Sequence, residues 1–147
     1  MIVRPRVAVA VIAAVFGIGF ALGGFLQESV SAQSGTRVFE LRTYTAPEGK
    51  LKDLDARFRD HTLKLFTKHG MTNVGYFHPQ DAPSSQNTLI YVLAHKNRDE
   101  AKKSWAAFGA DPEWVKVRTE SEAAGRLTTQ GGVVSVFMDP VDYSPMK

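Results

Sequence analysis

The segment 88–95 carries Leu89, Tyr91 and Leu93 on one parity and Ile90, Val92 and Ala94 on the other. Successive side chains of a strand point to opposite faces, so this strand has to be covered on both sides. Residues 132–138 repeat the pattern, with Val133, Val134, Val136, Phe137 and Met138 spread over both parities. Helical spacing occurs in only two blocks, and two helical blocks shield only one face of a sheet. The other face needs its own cover, because monomers rarely leave a large apolar patch in water. The expected cover is a second copy of the chain, sheet against sheet about a two-fold axis.

The order of elements follows from periodicity and punctuation. A strand at 39–45 leads into a helix carrying Leu51, Leu54, Phe58, His61, Leu65 and Phe66 on one stripe. Thr45 with Glu48 reads as a capping box, and Pro47 as a first-turn proline. Lys68-His69-Gly70 should end that helix, with cations at the negative end of the dipole and glycine at the exit. A strand at 72–78, a loop at 79–87 rich in Pro, Ser, Asp and Gln, and the strand at 88–95 come next. Asn97 and Glu100 form a second capping box for a helix with Ala101, Trp105 and Phe108, closed by Gly109. Asp111-Pro112 restarts it as N-cap and first helical residue, to run to about Gly125. With the strand at 132–138 the order is β-α-β-β-α-β, an α+β, ferredoxin-like arrangement.

Residues 1–32 are set apart from this domain. Arg4 and Arg6 precede an uncharged run at 7–26, and Val30-Ser31-Ala32 offers a processing site. That layout is a secretory signal peptide cleaved after Ala32. The run also reaches the ~20 residues that span a bilayer, so an anchor formed by residues 7–26 is the alternative. The protein is thus expected to be exported, periplasmic or extracellular, and on a membrane only if the leader is retained. Residues 33–36 are a short linker, and 37–147 form one domain.

The absence of cysteine excludes disulfides, thiolate catalysis and Cys-ligated zinc. The whole chain has a formal net charge of +3, and losing Arg4, Arg6 and Glu28 brings it nearer zero. Basic residues of the first helix alternate with Asp53, Asp55 and Asp60, the mark of a solvated face rather than of a nucleic-acid footprint. No close histidine pair or paired acidic motif suggests a metal site.

Charge stands inside the first strand: Glu40, Arg42 and Tyr44 share a parity opposite Phe39, Leu41 and Thr43. That row is either a solvated edge, a cross-strand ion pair, or one wall of a pocket. His61 lies on the apolar helix stripe, so it is either a core histidine bonded to a backbone carbonyl or to Tyr44, or a pocket base able to take and return a proton. If the charged row faces the helices, His61, Glu40, Arg42, Tyr44 and Tyr91 line one cavity, with Phe58, Leu65, Trp105 and Phe108 as its apolar wall. Strand register decides between these possibilities.

Several pieces together resemble the NIPSNAP family of the dimeric α+β barrel superfamily. They are Glu40-Leu41-Arg42-Thr43-Tyr44 followed by Pro47-Glu48-Gly49-Lys50, His69-Gly70, Asp111-Pro112-Glu113-Trp114, and Asp142-Tyr143-Ser144-Pro145. The resemblance covers 36–147 and implies a ferredoxin-like domain that pairs into a dimeric α+β barrel. Relatives in that superfamily hold ligands, including haem, quinones and polyketides, between helices and sheet. The expectation is therefore a homodimer that binds a small apolar or aromatic molecule. The alternatives are a cofactor-free oxygenase, cyclase or isomerase acting on a phenolic or quinone-like substrate, and a non-catalytic interaction module of the cell envelope. No cofactor is expected; haem enters by superfamily analogy alone.

Overall fold

The computed structural model describes residues 37–147, so the leader and linker expectations lie outside the described residues. In chain order the elements are β1 (Val38–Thr45), α1 (Leu51–Arg57), a π-helical turn (Phe58–Thr62), α2 (Leu63–Lys68), β2 (Thr72–Phe77), a short 3-10 turn (Ser84–Gln86), β3 (Thr88–His95), α3 (Arg98–Ala110), α4 (Pro112–Ser121) and β4 (Val133–Met138). The sheet order is β2-β3-β1-β4, with every neighbouring pair antiparallel. This is the ferredoxin-like topology. Among the described residues no helix is long and apolar enough to cross a membrane.

Two of the three expected caps form. Asn97 accepts the Glu100 N–H at 2.8 Å and Asp111 accepts that of Glu113 at 2.8 Å, with Pro112 opening α4. The Thr45–Glu48 capping box does not. Residues 47–50 make a turn closed by Lys50 N–H on Pro47 O, with Gly49 at φ +75°, and α1 starts only at Leu51 without a side-chain cap. Thr45 is engaged elsewhere: its N–H donates to Gly132 O and its carbonyl accepts from Thr129 N–H. Gly70 at φ +77° does end α2. Gly109, expected to close α3, lies inside it, and α4 stops at Ser121 rather than near Gly125.

Asp111 also joins two of the pieces that carry the family resemblance. Its Oδ2 lies 2.7 Å from Lys68 Nζ and 2.7 Å from His69 Nε2, so the exit of α2 is tied to the start of α4. Lys68 first, then His69 and the Glu113 N–H, hold this carboxyl well below the usual range.

Register settles which way each strand faces. Glu40 pairs with Leu93 and Phe137, Arg42 with Tyr91 and Ser135, and Tyr44 with Leu89 and Val133. These residues share the face that meets the helices, where Leu54, Phe58, Leu65, Phe66, Leu89, Tyr91, Leu93 and Phe108 form the core. The opposite face carries Leu41, Ile90, Val92, Val134, Val136 and Met138. On it Val134 and Val136 are 54% and 49% exposed, and Phe77 of β2 is 58% exposed.

The first helical stretch keeps right-handed dihedrals throughout, but its middle turn is a π turn. A π turn takes more residues than an α turn, so the inward position after Phe58 falls on Thr62 instead of His61. Thr62 is 1% exposed, and its hydroxyl donates to Arg57 O at 3.1 Å.

The loop before β4 sits tightly on β1. A Cβ added at Gly132 would lie 2.9 Å from the Thr45 carbonyl oxygen and closer still to the Thr129 hydroxyl. We therefore expect Gly132→Ala to lower the unfolding free energy by roughly 1–3 kcal/mol, seen as an earlier urea midpoint at unchanged slope.

Candidate functional site

The Glu40 carboxylate organises the polar interior. Oε1 accepts from Arg42 Nη1 at 2.7 Å and Ser135 Oγ at 2.6 Å, while Oε2 accepts from Trp105 Nε1 at 2.7 Å and His95 Nε2 at 2.9 Å. The donors come from β1, β4, α3 and β3. Burial alone would push this carboxyl up; the hydrogen bonds, His95 first, outweigh it and bring the pKa down to about 2. Glu40 is therefore a charged tie between elements and not a free acid or base.

Arg42 completes the cluster. Its guanidinium stacks 4.2 Å from the Trp105 ring centroid and reaches the Tyr44 hydroxyl at 3.4 Å. Burial pushes the Tyr91 phenol well above its ordinary value, and Tyr44 beside it adds to the effect. The two hydroxyls lie near each other without hydrogen-bond geometry, so Tyr91 Oη has no partner among the described residues.

The expected cavity is not assembled. Glu40, Arg42, Tyr44, Tyr91 and Trp105 do come together, but the space beside them is filled by rings. Phe58 and Tyr91 have centroids 5.1 Å apart, Phe66 and Trp105 5.3 Å, and Phe66 and Phe108 5.0 Å. Leu65, expected as a pocket wall, is core. His61 stands apart, in a groove of about 320 Å³ with Asp53, Asp60, Val117 and Glu120 between the first helical stretch and α4. The π turn is the physical reason, since it rotates His61 away from the sheet.

A different cleft, of about 300 Å³, opens between the first helical stretch and the β2–β3 side of the sheet. Phe58, Leu63, Tyr76, Phe77 and Leu89 give it mainly apolar walls, and Asp55, Arg59 and His78 supply its polar groups. His78 Nε2 lies 3.0 Å from Asp55 Oδ1. Of the expected site residues only Phe58 lines this cleft. The sequence does hold a partial signal: Asp55, Phe58, Arg59 and Leu63 lie on one helical flank, and His78 follows directly on the Tyr76-Phe77 end of a strand.

The histidines do not suit axial ligation of a haem. His69 and His95 are held against the buried carboxylates of Asp111 and Glu40, and His78 is tied to Asp55 at an exposed position. His61 opens on a groove lined by the carboxylates of Asp53, Asp60 and Glu120, where Arg57 is already paired with Glu122, so haem propionates would be repelled.

Fold and interior together define an α+β, ferredoxin-like domain. Residues 39–145 match the NIPSNAP family profile, and the chain belongs to that family. A NIPSNAP family protein of Agrobacterium tumefaciens with unknown function shares 22% identity at a TM-score of 0.66, over 78% of this chain and 96% of that one. A NIPSNAP-like domain protein from Burkholderia xenovorans shares 16% at 0.64, over 76% and 90%. SnoaB, a cofactor-independent oxygenase from Streptomyces nogalater, shares 14% at 0.50, over 75% and 98%, a likeness of fold. No curated protein matches the chain in sequence.

Removing one partner of a buried charged network leaves the others uncompensated, so Glu40→Gln should cost about 3–5 kcal/mol. The pKa of Glu40 falls from 4.5 to about 2 on folding. Its stabilisation is therefore complete above pH 4.5 and lost as pH falls from there towards 2. Denaturant unfolding across that window should show a shallower acid limb in Glu40→Gln than in the parent.

Proposed function

We propose that this chain is an exported NIPSNAP-domain protein, a homodimer, that holds a small apolar or aromatic molecule between helices and sheet. The observation that carries the binding reading is the cleft of about 300 Å³ walled by Phe58, Leu63, Tyr76 and Leu89. Its volume lies at the small end of ligand pockets, and aromatic walls with a few polar groups are how such pockets select. The homodimer reading is supported by the exposed Val134, Val136 and Phe77 on the outer sheet face, and the export reading by the layout of residues 1–32. A phenolic or quinone-like substrate for a cofactor-free reaction suits the same walls.

The ring-filled interior beside Glu40 favours a second reading, a non-catalytic interaction module of the cell envelope. Ligand binding separates the two. A thermal-shift panel of phenols, quinols and other small aromatics should give stabilising hits with the parent protein and none with Leu63→Trp, which fills the cleft. An empty panel with a folded, dimeric parent would support the interaction module.

For the assembly, light scattering at micromolar concentration should give a dimer. Val136→Glu, on the exposed face and outside the core, should give a monomer with unchanged circular dichroism. A monomeric parent would overturn this part of the reading.

A further inference from the structure

The polar end of the cleft narrows what it can bind. Asp55 Oδ1 lies 3.0 Å from His78 Nε2. A carboxylate only accepts, so in the neutral ring Nε2 carries the proton and Nδ1 is the lone-pair acceptor. Arg59 lines the same cleft and makes no ion pair or side-chain hydrogen bond among the described residues. The other titratable group in the lining is Tyr76, whose hydroxyl donates to Asn73 and whose burial pushes its phenol up, so it stays protonated and cannot act as a base. The cleft thus joins aromatic walls, one oriented imidazole and one uncommitted guanidinium.

We propose that the cleft is an acid–base site for a small phenol-like molecule, with His78 as proton acceptor, Asp55 as the residue that positions it, and Arg59 as counter-ion. This rests on the cleft reading above and adds the chemical class of ligand and the roles of three residues that the sequence did not single out together. The step is one proton transfer: the ligand O–H bond breaks, its proton passes to His78 Nδ1, and the electron pair stays on the ligand oxygen as a phenolate. Asp55 stabilises the imidazolium through Nε2–H, and Arg59 pairs with the phenolate oxygen. Nothing is oxidised or reduced. The product is an activated, electron-rich aromatic anion held in an apolar site.

The test uses 4-nitrophenol, whose phenol and phenolate absorb at different wavelengths, and 4-nitroanisole, its methyl ether that cannot ionise. Both should bind the parent protein, and Leu63→Trp should abolish both. Below the probe's own pKa, bound 4-nitrophenol should show a phenolate-to-phenol ratio raised roughly tenfold or more over the free probe, the equivalent of one pKa unit. His78→Gln, whose amide can still donate to Asp55, should keep 4-nitroanisole binding and lose that gain. Asp55→Asn and Arg59→Gln should each reduce it. If 4-nitrophenol binds with the ratio it has in solution, or if His78→Gln leaves the ratio raised, the acid–base proposal falls while the cleft reading stands. If neither probe binds, or if Leu63→Trp still binds them, the proposal falls together with the cleft reading.

Discussion

A carboxylate sealed at 1% exposure is the constraint around which this domain is built. Taking an ionised group out of water costs several kcal/mol, and the cost is offset only where geometry and hydrogen bonds are good. Glu40 meets that requirement with four donors at 2.6–2.9 Å, each from a different place in the chain. Arg42 comes from its own strand, Ser135 and His95 from the two flanking strands, and Trp105 from the helix above. Sliding β3 or β4 by one residue would turn its partner to the other face. The cluster therefore ties strand register and the seat of α3 to one charge.

That tie explains why the charged row of β1 is not a pocket wall. Arg42 is drawn into the cluster and stacked on Trp105, while Tyr44 and Tyr91 meet the rings of Phe58 and Phe66. Polar groups that read as a binding row in the sequence are spent on holding the sheet and helices together. The remaining space lies at the margin of the core, where the first helical stretch leaves the β2–β3 side of the sheet partly uncovered. A site there has one wall of core residues that must stay packed and one edge free to meet solvent, which suits selection by shape on one side and by charge on the other.

The two faces of the sheet divide the labour. One carries the charged cluster and the aromatic core; the other is largely Val, Ile, Leu and Met, and none of the described helices covers it. Hydrophobic surface of this kind is stabilised by being removed from water. Phe77 links the two regions, since it lines the cleft and is also exposed on the outer side.

Much of this was legible in the chain because it rests on local rules. Period-two and helical spacing, the caps at Asn97 and Asp111-Pro112, the exit at Gly70, and strands apolar on both sides sufficed for element order and for an uncovered face. The candidate site was only half legible. Glu40, Arg42 and Tyr44 share a parity on one strand, but Tyr91 joins them only through register, and His95, which bonds Glu40, lies 55 residues away with no spacing rule to connect them. An ideal helix puts His61 on the inner stripe, and a π turn carries no local signature in the sequence that shows otherwise. The pairing of Asp55 with His78 likewise depends on where the end of β2 lands beside α1. Sequence by itself determined the elements, their order and the chemistry available, since these follow from neighbours along the chain. Tertiary structure decided register, the rotation of one helical turn and which polar groups meet, because those depend on contacts between residues far apart in sequence.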